Sequence, residues 1–177
     1  MNHAVESHFT LWLMPSGDVF KHLERIIEQL SAEHATPSFD PHVTLLGGLV
    51  GGEKKLAAKL ERLAVGLQPF TITLTTLDYL EEYFRCLFIR AEETAPLMGA
   101  HRIAAESFSR QPDSPFMPHL SLMYGDIRRA LKEEILARIG RRFDLDFEAT
   151  SIHLFSTHGE VKEWYRVREF PFSQPLP

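Results

Sequence analysis

One stretch of this chain occurs twice. Residues 39–48 read Phe-Asp-Pro-His-Val-Thr-Leu-Leu-Gly-Gly, and residues 116–125 read Phe-Met-Pro-His-Leu-Ser-Leu-Met-Tyr-Gly. Phe39, Pro41, His42, Leu45 and Gly48 recur as Phe116, Pro118, His119, Leu122 and Gly125. Val43, Thr44 and Leu46 recur as the similar Leu120, Ser121 and Met123. A repeat of this kind restricts the fold to one that gives both copies the same surroundings. Side chains alternate across a strand, so His42 and Thr44 share one face while Val43 and Leu45 take the other. His119 and Ser121 stand in the same relation to Leu120 and Leu122. In each copy the apolar pair anchors to a core and the polar pair faces a cleft. A repeat kept only for packing would retain apolar periodicity and would not need a polar pair in both copies.

The rest of the chain reads as alternating strands and helices. His8–Met14 is expected to be a first strand, stopped by Pro15. Ser16-Gly17-Asp18 offers an N-cap to a helix with Val19, Leu23, Ile26, Ile27 and Leu30 at helical spacing. The first repeat reads as a short strand leaving a rigid turn, with Pro37 and Pro41 before it and Gly47-Gly48 and Gly51-Gly52 after it. A second helix carries Leu56, Leu60 and Leu63, and strands are expected at Phe70–Leu77 and Tyr83–Arg90. Thr94 caps a third helix that has Pro96 near its start and Leu97, Ala104 and Phe108 inside. The turn-rich loop Arg110–Pro115 delivers the second repeat strand, Pro118–Tyr124. A fourth helix with Leu131, Ile135, Leu136 and Ile139 ends at Gly140, and Phe143–Phe155 and Glu163–Phe172 read as strands. No linker or low-complexity segment divides the halves. The expected fold is one α+β domain over residues 1–177 with two pseudo-symmetric lobes.

Composition narrows the function classes. At 177 residues the chain suits one compact domain of ordinary size. A net charge of −5 argues against a surface that tracks long nucleic acid through many Lys and Arg contacts, though not against a small nucleotide. Arg128, Arg129, Arg138, Arg141 and Arg142 alternate with acids and apolar residues, as on a solvated helix face. No apolar run approaches the roughly 18–20 residues that span a bilayer. Met1–His8 lacks the basic stretch and apolar core of a signal peptide. The single cysteine, Cys86, beside Leu87-Phe88-Ile89, reads as a small core residue of a strand in a reducing, cytoplasmic setting.

The two polar pairs define a chemistry. Brought together, His42, Thr44, His119 and Ser121 would surround a phosphate. Thr44 and Ser121 would donate hydrogen bonds to its oxygens. One imidazole would deprotonate water while the other, protonated, donates to the leaving oxygen. Histidine suits both roles because its pKa lies near neutrality. No metal and no other cofactor is expected: the chain has no His-Glu-x-x-His and no cysteine pair. A Ser121 nucleophile lacks a Gly-x-Ser-x-Gly elbow, and the glycines at 47, 48, 51 and 52 do not form a P-loop. His153 and His158 read as exposed strand or turn residues. His3, His8, His22, His34 and His101 read as exposed or N-terminal and carry no assigned role. Trp12, Phe84 and Tyr124 could stack on a base. Tyr124 stands out because it follows the second motif, whereas Trp12 and Phe84 read as core.

His-Val-Thr at 42–44 and His-Leu-Ser at 119–121 resemble the paired signature of the 2H phosphoesterase superfamily (RNA ligase and cyclic phosphodiesterase-like proteins). Within it, Pro-His-Val-Thr and Met-Pro-His-Leu-Ser-Leu-Met-Tyr are similar to the cyclic nucleotide phosphodiesterase branch typified by plant and yeast enzymes. The first strand with Trp12 and Pro15, and Tyr-Phe-Arg-Cys-Leu-Phe at 83–88, look similar too. The resemblance implies a bilobal fold, each lobe with an antiparallel sheet and helices, around a central cleft. It implies metal-free hydrolysis of a 2′,3′-cyclic nucleotide or of ADP-ribose 1″,2″-cyclic phosphate to the 2′-phosphate or 1″-phosphate. On this basis His42 and His119 are the catalytic pair, Thr44 and Ser121 hold phosphate, and Trp12, Phe84 and Tyr124 contact the nucleotide. The plant enzymes have several cysteines and this chain has only Cys86, so disulfide control is not expected. The run Gly47–Gly52 departs from the pattern after the first motif. The expected partner is a small nucleotide, with no long nucleic acid and no membrane, and the chain is expected to act as a monomer. Two other readings are RNA-end processing within the same superfamily and a nucleotide-binding protein without turnover.

Overall fold

The structure, a computed structural model, describes residues 8–113 and 115–173. His3 and most of the segment Met1–His8 lie outside the described residues, as does Ser114 within the loop before the second motif. In chain order the elements are β1 (His8–Leu13), α1 (Gly17–His34), β2 (Val43–Val50), α2 (Glu53–Val65), β3 (Phe70–Asp78), β4 (Leu87–Ala91), α3 (Ala95–Ser107), β5 (His119–Met123), α4 (Arg129–Ile139), β6 (Arg142–Ala149), β7 (Ser151–Ser156) and β8 (Tyr165–Pro171). Short 3₁₀ turns occupy Tyr83–Arg85 and Val161–Glu163. Among the described residues no helix is long and apolar enough to cross a membrane.

The strands form one antiparallel sheet in the order β6-β3-β4-β5-β2-β1-β7-β8. Its symmetry follows the repeat: β1-α1-β2 and β4-α3-β5 are each strand, helix, motif strand, and the two motif strands are central neighbours. The expectation of a separate sheet per lobe is therefore corrected. Two four-stranded halves are continuous through a β2–β5 pairing at Val43 and Leu120. The half made of β3, β4, β5 and β6 is contiguous in sequence, whereas the other is not, because β7 and β8 return to the half containing β1 and β2.

The helices cover one face of the sheet. Leu23, Ile27 and Leu30 of α1 recur at helical spacing and are buried, and the helix packs on β5 and β6. α2 packs on β7 and β8, and α3 packs on β2 and β3. Beneath them lie Leu11, Leu13, Val43, Leu45, Leu120, Leu122 and Ile89. Helix ends largely follow the sequence signals. The Thr94 hydroxyl accepts from the Leu97 N–H at 3.5 Å, and Gly140, at φ +93, ends α4. Ser16 occupies the N-cap of α1, but its side chain makes no cap bond.

Three expected strands are corrected. Tyr83–Arg85 is a 3₁₀ turn, and the strand begins only at Leu87, with Cys86 fully buried between them. Burial raises the Cys86 thiol pKa. Phe143–Phe155 is two strands broken at Thr150, which allows β6 and β7 to lie in opposite halves. Gly47 and Gly48 do not end the first motif strand but lie inside it. Opposite β1, β2 carries extra residues at two points, between the partners of Phe9 and Leu11 and between those of Leu11 and Trp12. These are β-bulges, and Gly48 at φ +65 adopts a conformation that favours glycine.

A bulge frees backbone groups from the ladder, and here two carbonyls find side chains. The Leu45 carbonyl accepts from His101 Nδ1 at 2.8 Å. The Gly47 carbonyl accepts from Arg110 Nη1. His101, placed by the sequence at an exposed position, is only 2% exposed. Its Nε2 accepts from the Asp113 N–H at 3.0 Å, and its ring lies on Phe116 at 3.7 Å, almost parallel. It thus ties the first motif strand to the loop that leads into the second. His153 is also buried rather than exposed, with Nε2 3.1 Å from the Ser151 hydroxyl.

Candidate active site

Proline and the residue before it preset the two histidines in the same way. His42 Nδ1 lies 2.7 Å from the Asp40 carbonyl, and His119 Nδ1 lies 2.8 Å from the Met117 carbonyl. Each carbonyl belongs to the residue before the motif proline. A carbonyl only accepts, so both Nδ1 atoms carry hydrogen and both Nε2 atoms are the free positions. This matched bond in the two copies is the local meaning of Phe-x-Pro-His.

The register sets the rest. Directly opposed residues of an antiparallel pair point to the same face. With Val43 opposite Leu120, one further residue on each side sets His42 across from Ser121 and Thr44 across from His119. The four polar side chains therefore form a square on the face away from the helices. Histidines at its diagonal corners are roughly 7–8 Å apart at Cα, room for one phosphate between them. Neighbouring strands extend this face. Trp12 is registered opposite Thr44, and Phe88 and Arg90 are registered opposite Ser121 and His119.

All four lie in one cleft of about 400 Å³, lined also by Thr10, Trp12, Gly47, Gly48, Phe84, Arg85, Tyr124, Thr157 and Trp164. The sequence-derived aromatics are all here, but in different states. Trp12 is buried as a core residue would be, yet one face of the square rests on it: its ring is parallel to His42 at 3.5 Å. Phe84, expected in the core, is 53% exposed at the rim, carried there by the 3₁₀ turn. Tyr124 is buried, with its ring on Phe39 at 3.8 Å. The Ser121 hydroxyl donates to the Phe84 carbonyl at 3.1 Å, and the Gly125 N–H donates to the Tyr83 carbonyl, so this turn is fastened to the end of β5.

The two imidazoles differ electrically. Burial, opposed by the Asp40 carbonyl and helped by the charge of His119, drives the pKa of His42 down to about 3. His119 is half-buried. Burial lowers its pKa as well, with Arg85 and Arg90 adding to the effect and the Met117 carbonyl opposing it. Burial also raises the pKa of the Tyr124 phenol, which keeps it protonated. Among the described residues no group of three or more His, Cys, Asp and Glu could hold a metal ion.

Sequence reasoning missed Trp164, Arg85, Thr10 and Thr157. Trp164 forms a wall of the cleft, 6.0 Å from Phe84 and 6.1 Å from Trp12. Its signal was a tryptophan between Glu163 and Tyr165 with no apolar periodicity around it. Thr10 shares the face of Trp12 by strand alternation, and its hydroxyl lies 3.0 Å from that of Thr157. Arg85 carries no local signal, because its position depends on the turn.

The family model described as the 2′-5′ RNA ligase superfamily matches residues 7–160. The chain is 25% identical to the cyclic phosphodiesterase of Arabidopsis thaliana, over 75% of this chain and 74% of that protein. It is 22% identical to a 2′,3′-cyclic-nucleotide 3′-phosphodiesterase of Yarrowia lipolytica, over 91% of this chain and 99% of the relative. Among solved structures, E. coli LigT complexed with 3′-AMP matches with a TM-score of 0.64 at 17% identity, covering 95% of this chain and 99% of that one. TT0787 of Thermus thermophilus matches with a TM-score of 0.66 at 18% identity, covering 93% of this chain and 97% of that one. These structural likenesses establish a shared fold.

Proposed function

The chain belongs to the 2′-5′ RNA ligase superfamily, and from that premise we propose that it is a cyclic phosphodiesterase that opens the cyclic phosphate of a small nucleotide by two-histidine acid–base chemistry. The substrate class is a 2′,3′-cyclic nucleotide or ADP-ribose 1″,2″-cyclic phosphate. The observation that carries the reading is the matched Nδ1–H···O=C bond in both motifs, which leaves two free Nε2 atoms diagonal to each other across the β2–β5 pair. A binding site needs donors to phosphate, but it does not need two such preset acid–base groups.

In the proposed reaction the cyclic phosphate sits between the imidazoles, with the Thr44 and Ser121 hydroxyls donating to its non-bridging oxygens. Ser121 turns from the Phe84 carbonyl to do so. His42, held neutral by burial, takes a proton from water at Nε2 as the water oxygen bonds to phosphorus. His119, the more exposed of the two, gives its Nε2 proton to the leaving ester oxygen as the P–O bond breaks. The product is a phosphomonoester, the 2′-phosphate or 1″-phosphate. One proton enters the site and one leaves, so the pair ends with its protonation exchanged and resets through solvent. Trp12 holds the His42 ring in plane, and Phe84, Tyr124 and Trp164 offer aromatic faces to the base. The relatives' names, cyclic phosphodiesterase and 2′,3′-cyclic-nucleotide 3′-phosphodiesterase, support the same reading.

Phosphorus NMR with 2′,3′-cyclic AMP and, separately, ADP-ribose 1″,2″-cyclic phosphate, each with excess EDTA, tests it. The expected result is loss of the cyclic signal with wild-type protein and its persistence with His42→Ala or His119→Ala. The product shift identifies the bond that opens. Persistence of both cyclic signals with wild type refutes the assignment.

A further inference from the structure

A second cavity adjoins the first. It measures about 290 Å³ and is lined by residues 48–52, by Leu56 and Phe108, and by Lys55, Lys59 and Arg110. Gly48 lines both cavities. No Asp or Glu lines the second one, and none of its three cations takes part in an ion pair among the described residues. The cations converge from separate segments. Lys55 and Lys59 project from one face of α2 at a spacing of four, where like charges repel by a few tenths of a kcal/mol. Arg110 comes from the loop after α3 and is anchored by its bond to the Gly47 carbonyl, which occupies one of its five N–H donors. The Lys59 ammonium is held 5.3 Å from the centre of the Phe108 ring. The first turn of α2 opens onto the same glycines, and Gly52 gives it no side-chain cap, so its unpaired N–H groups add positive potential. In a chain of net charge −5, this convergence of unpaired cations on a glycine-rich backbone is suited to an anion.

We propose that this cavity is a second phosphate subsite, which holds a phosphate or diphosphate one unit beyond the cyclic phosphate of an extended substrate. The inference rests on the catalytic reading above and specifies its substrate class. Distance selects the unit. A strand advances about 3.4 Å per residue, and because Thr44 and Leu49 pair with Trp12 and Phe9, three residues apart on β1, Leu49 is roughly 10 Å along the sheet from Thr44. That exceeds the reach of a 5′-phosphate on the nucleoside whose ring closes the cyclic ester, and suits a phosphate further along. The diphosphate of ADP-ribose 1″,2″-cyclic phosphate and the phosphodiesters of a short RNA ending in a cyclic phosphate both present that chemistry. The run Gly48–Gly52 lets the backbone approach such an anion without intervening side chains beyond Leu49 and Val50.

The test compares kcat/KM for three substrates, 2′,3′-cyclic AMP, ADP-ribose 1″,2″-cyclic phosphate and a triribonucleotide with a 2′,3′-cyclic end, in wild type and in Lys55→Gln/Lys59→Gln and Arg110→Gln variants. Loss of charge-assisted contacts is expected to lower the ratio of long-substrate to short-substrate kcat/KM by about tenfold. A fall confined to the ADP-ribose substrate assigns the subsite to a diphosphate, and one confined to the trinucleotide assigns it to RNA. An unchanged ratio for both long substrates overturns the proposal. Calorimetric binding of ADP-ribose, which has the diphosphate but no cyclic ester, reads the subsite without turnover. If wild type turns over none of the substrates yet binds ADP-ribose about tenfold tighter than the variants, the catalytic reading fails and the subsite stands. Equal binding by all three proteins in that case removes the subsite.

Discussion

His101→Leu tests whether the two half-sites are coupled through one buried side chain. Leucine keeps an apolar side chain of similar bulk in the core but removes both ring nitrogens. The bulged Leu45 carbonyl loses its donor at 2.8 Å, and the Asp113 N–H loses its acceptor at 3.0 Å. The Leu45 carbonyl bond is buried, whereas the Asp113 bond is only partly so and can turn to water. An orphaned buried group costs about 1–3 kcal/mol and the parallel contact with Phe116 about 0.5–1.5 kcal/mol, so the loss is about 1.5–4.5 kcal/mol. For a chain of this length, at about 2–4 °C per kcal/mol, the melting temperature falls by on the order of 10 °C. Urea unfolding at pH 7 measures the free energy, and calorimetry measures the melting point. His101→Asn, whose side-chain N–H can still reach the Leu45 carbonyl, should recover part of the loss. Stability of His101→Leu within about 1 kcal/mol of wild type would refute the coupling, because it would show that neither bond matters to the fold.

The catalytic pair makes further predictions. His42→Ala and His119→Ala should each lower kcat by on the order of 10²–10⁴ while Thr44→Ala and Ser121→Ala cost less, as steady-state kinetics on 2′,3′-cyclic AMP would show. The profile of kcat/KM should be a bell centred on the acid side of neutrality. Its acid limb reports His42 near 3, and its alkaline limb reports His119 below the ordinary 6.5. The diester stays a monoanion throughout, so an alkaline limb above pH 7 contradicts the assignment of His119 as the acid. Acid should also destabilise the fold through His42. Its folded pKa is below its unfolded value, so the unfolded chain binds the proton first. The contribution is complete above about pH 6.5 and is lost toward pH 3, at about 1.4 kcal/mol per unit. Urea unfolding at pH 7 and pH 5 should show a smaller difference in His42→Phe than in wild type.

The chain announces its chemistry because alternation and duplication are local. Two residues apart on a strand is enough to say that His42 shares a face with Thr44, and His119 with Ser121, whatever the remainder does. The apolar stripes of α1 and α2, the Thr94 cap and the Gly140 stop are legible for the same reason: each is settled within one turn of backbone. What tertiary structure decided is relational. Only the pairing of Val43 with Leu120 turns two polar pairs into one square, and no local signal carries that register. The bulges in β2 are a mismatch of register with β1, and they lie where the Leu45 and Gly47 carbonyls meet His101 and Arg110. Phe84 and Arg85 enter the cleft because a turn fastens to β5, and Trp164 because β8 returns beside β7. Spacing along the chain determines the face that a side chain presents. Its neighbours across that face depend on long-range pairing, whose energy comes from packing the whole sheet and its helices together.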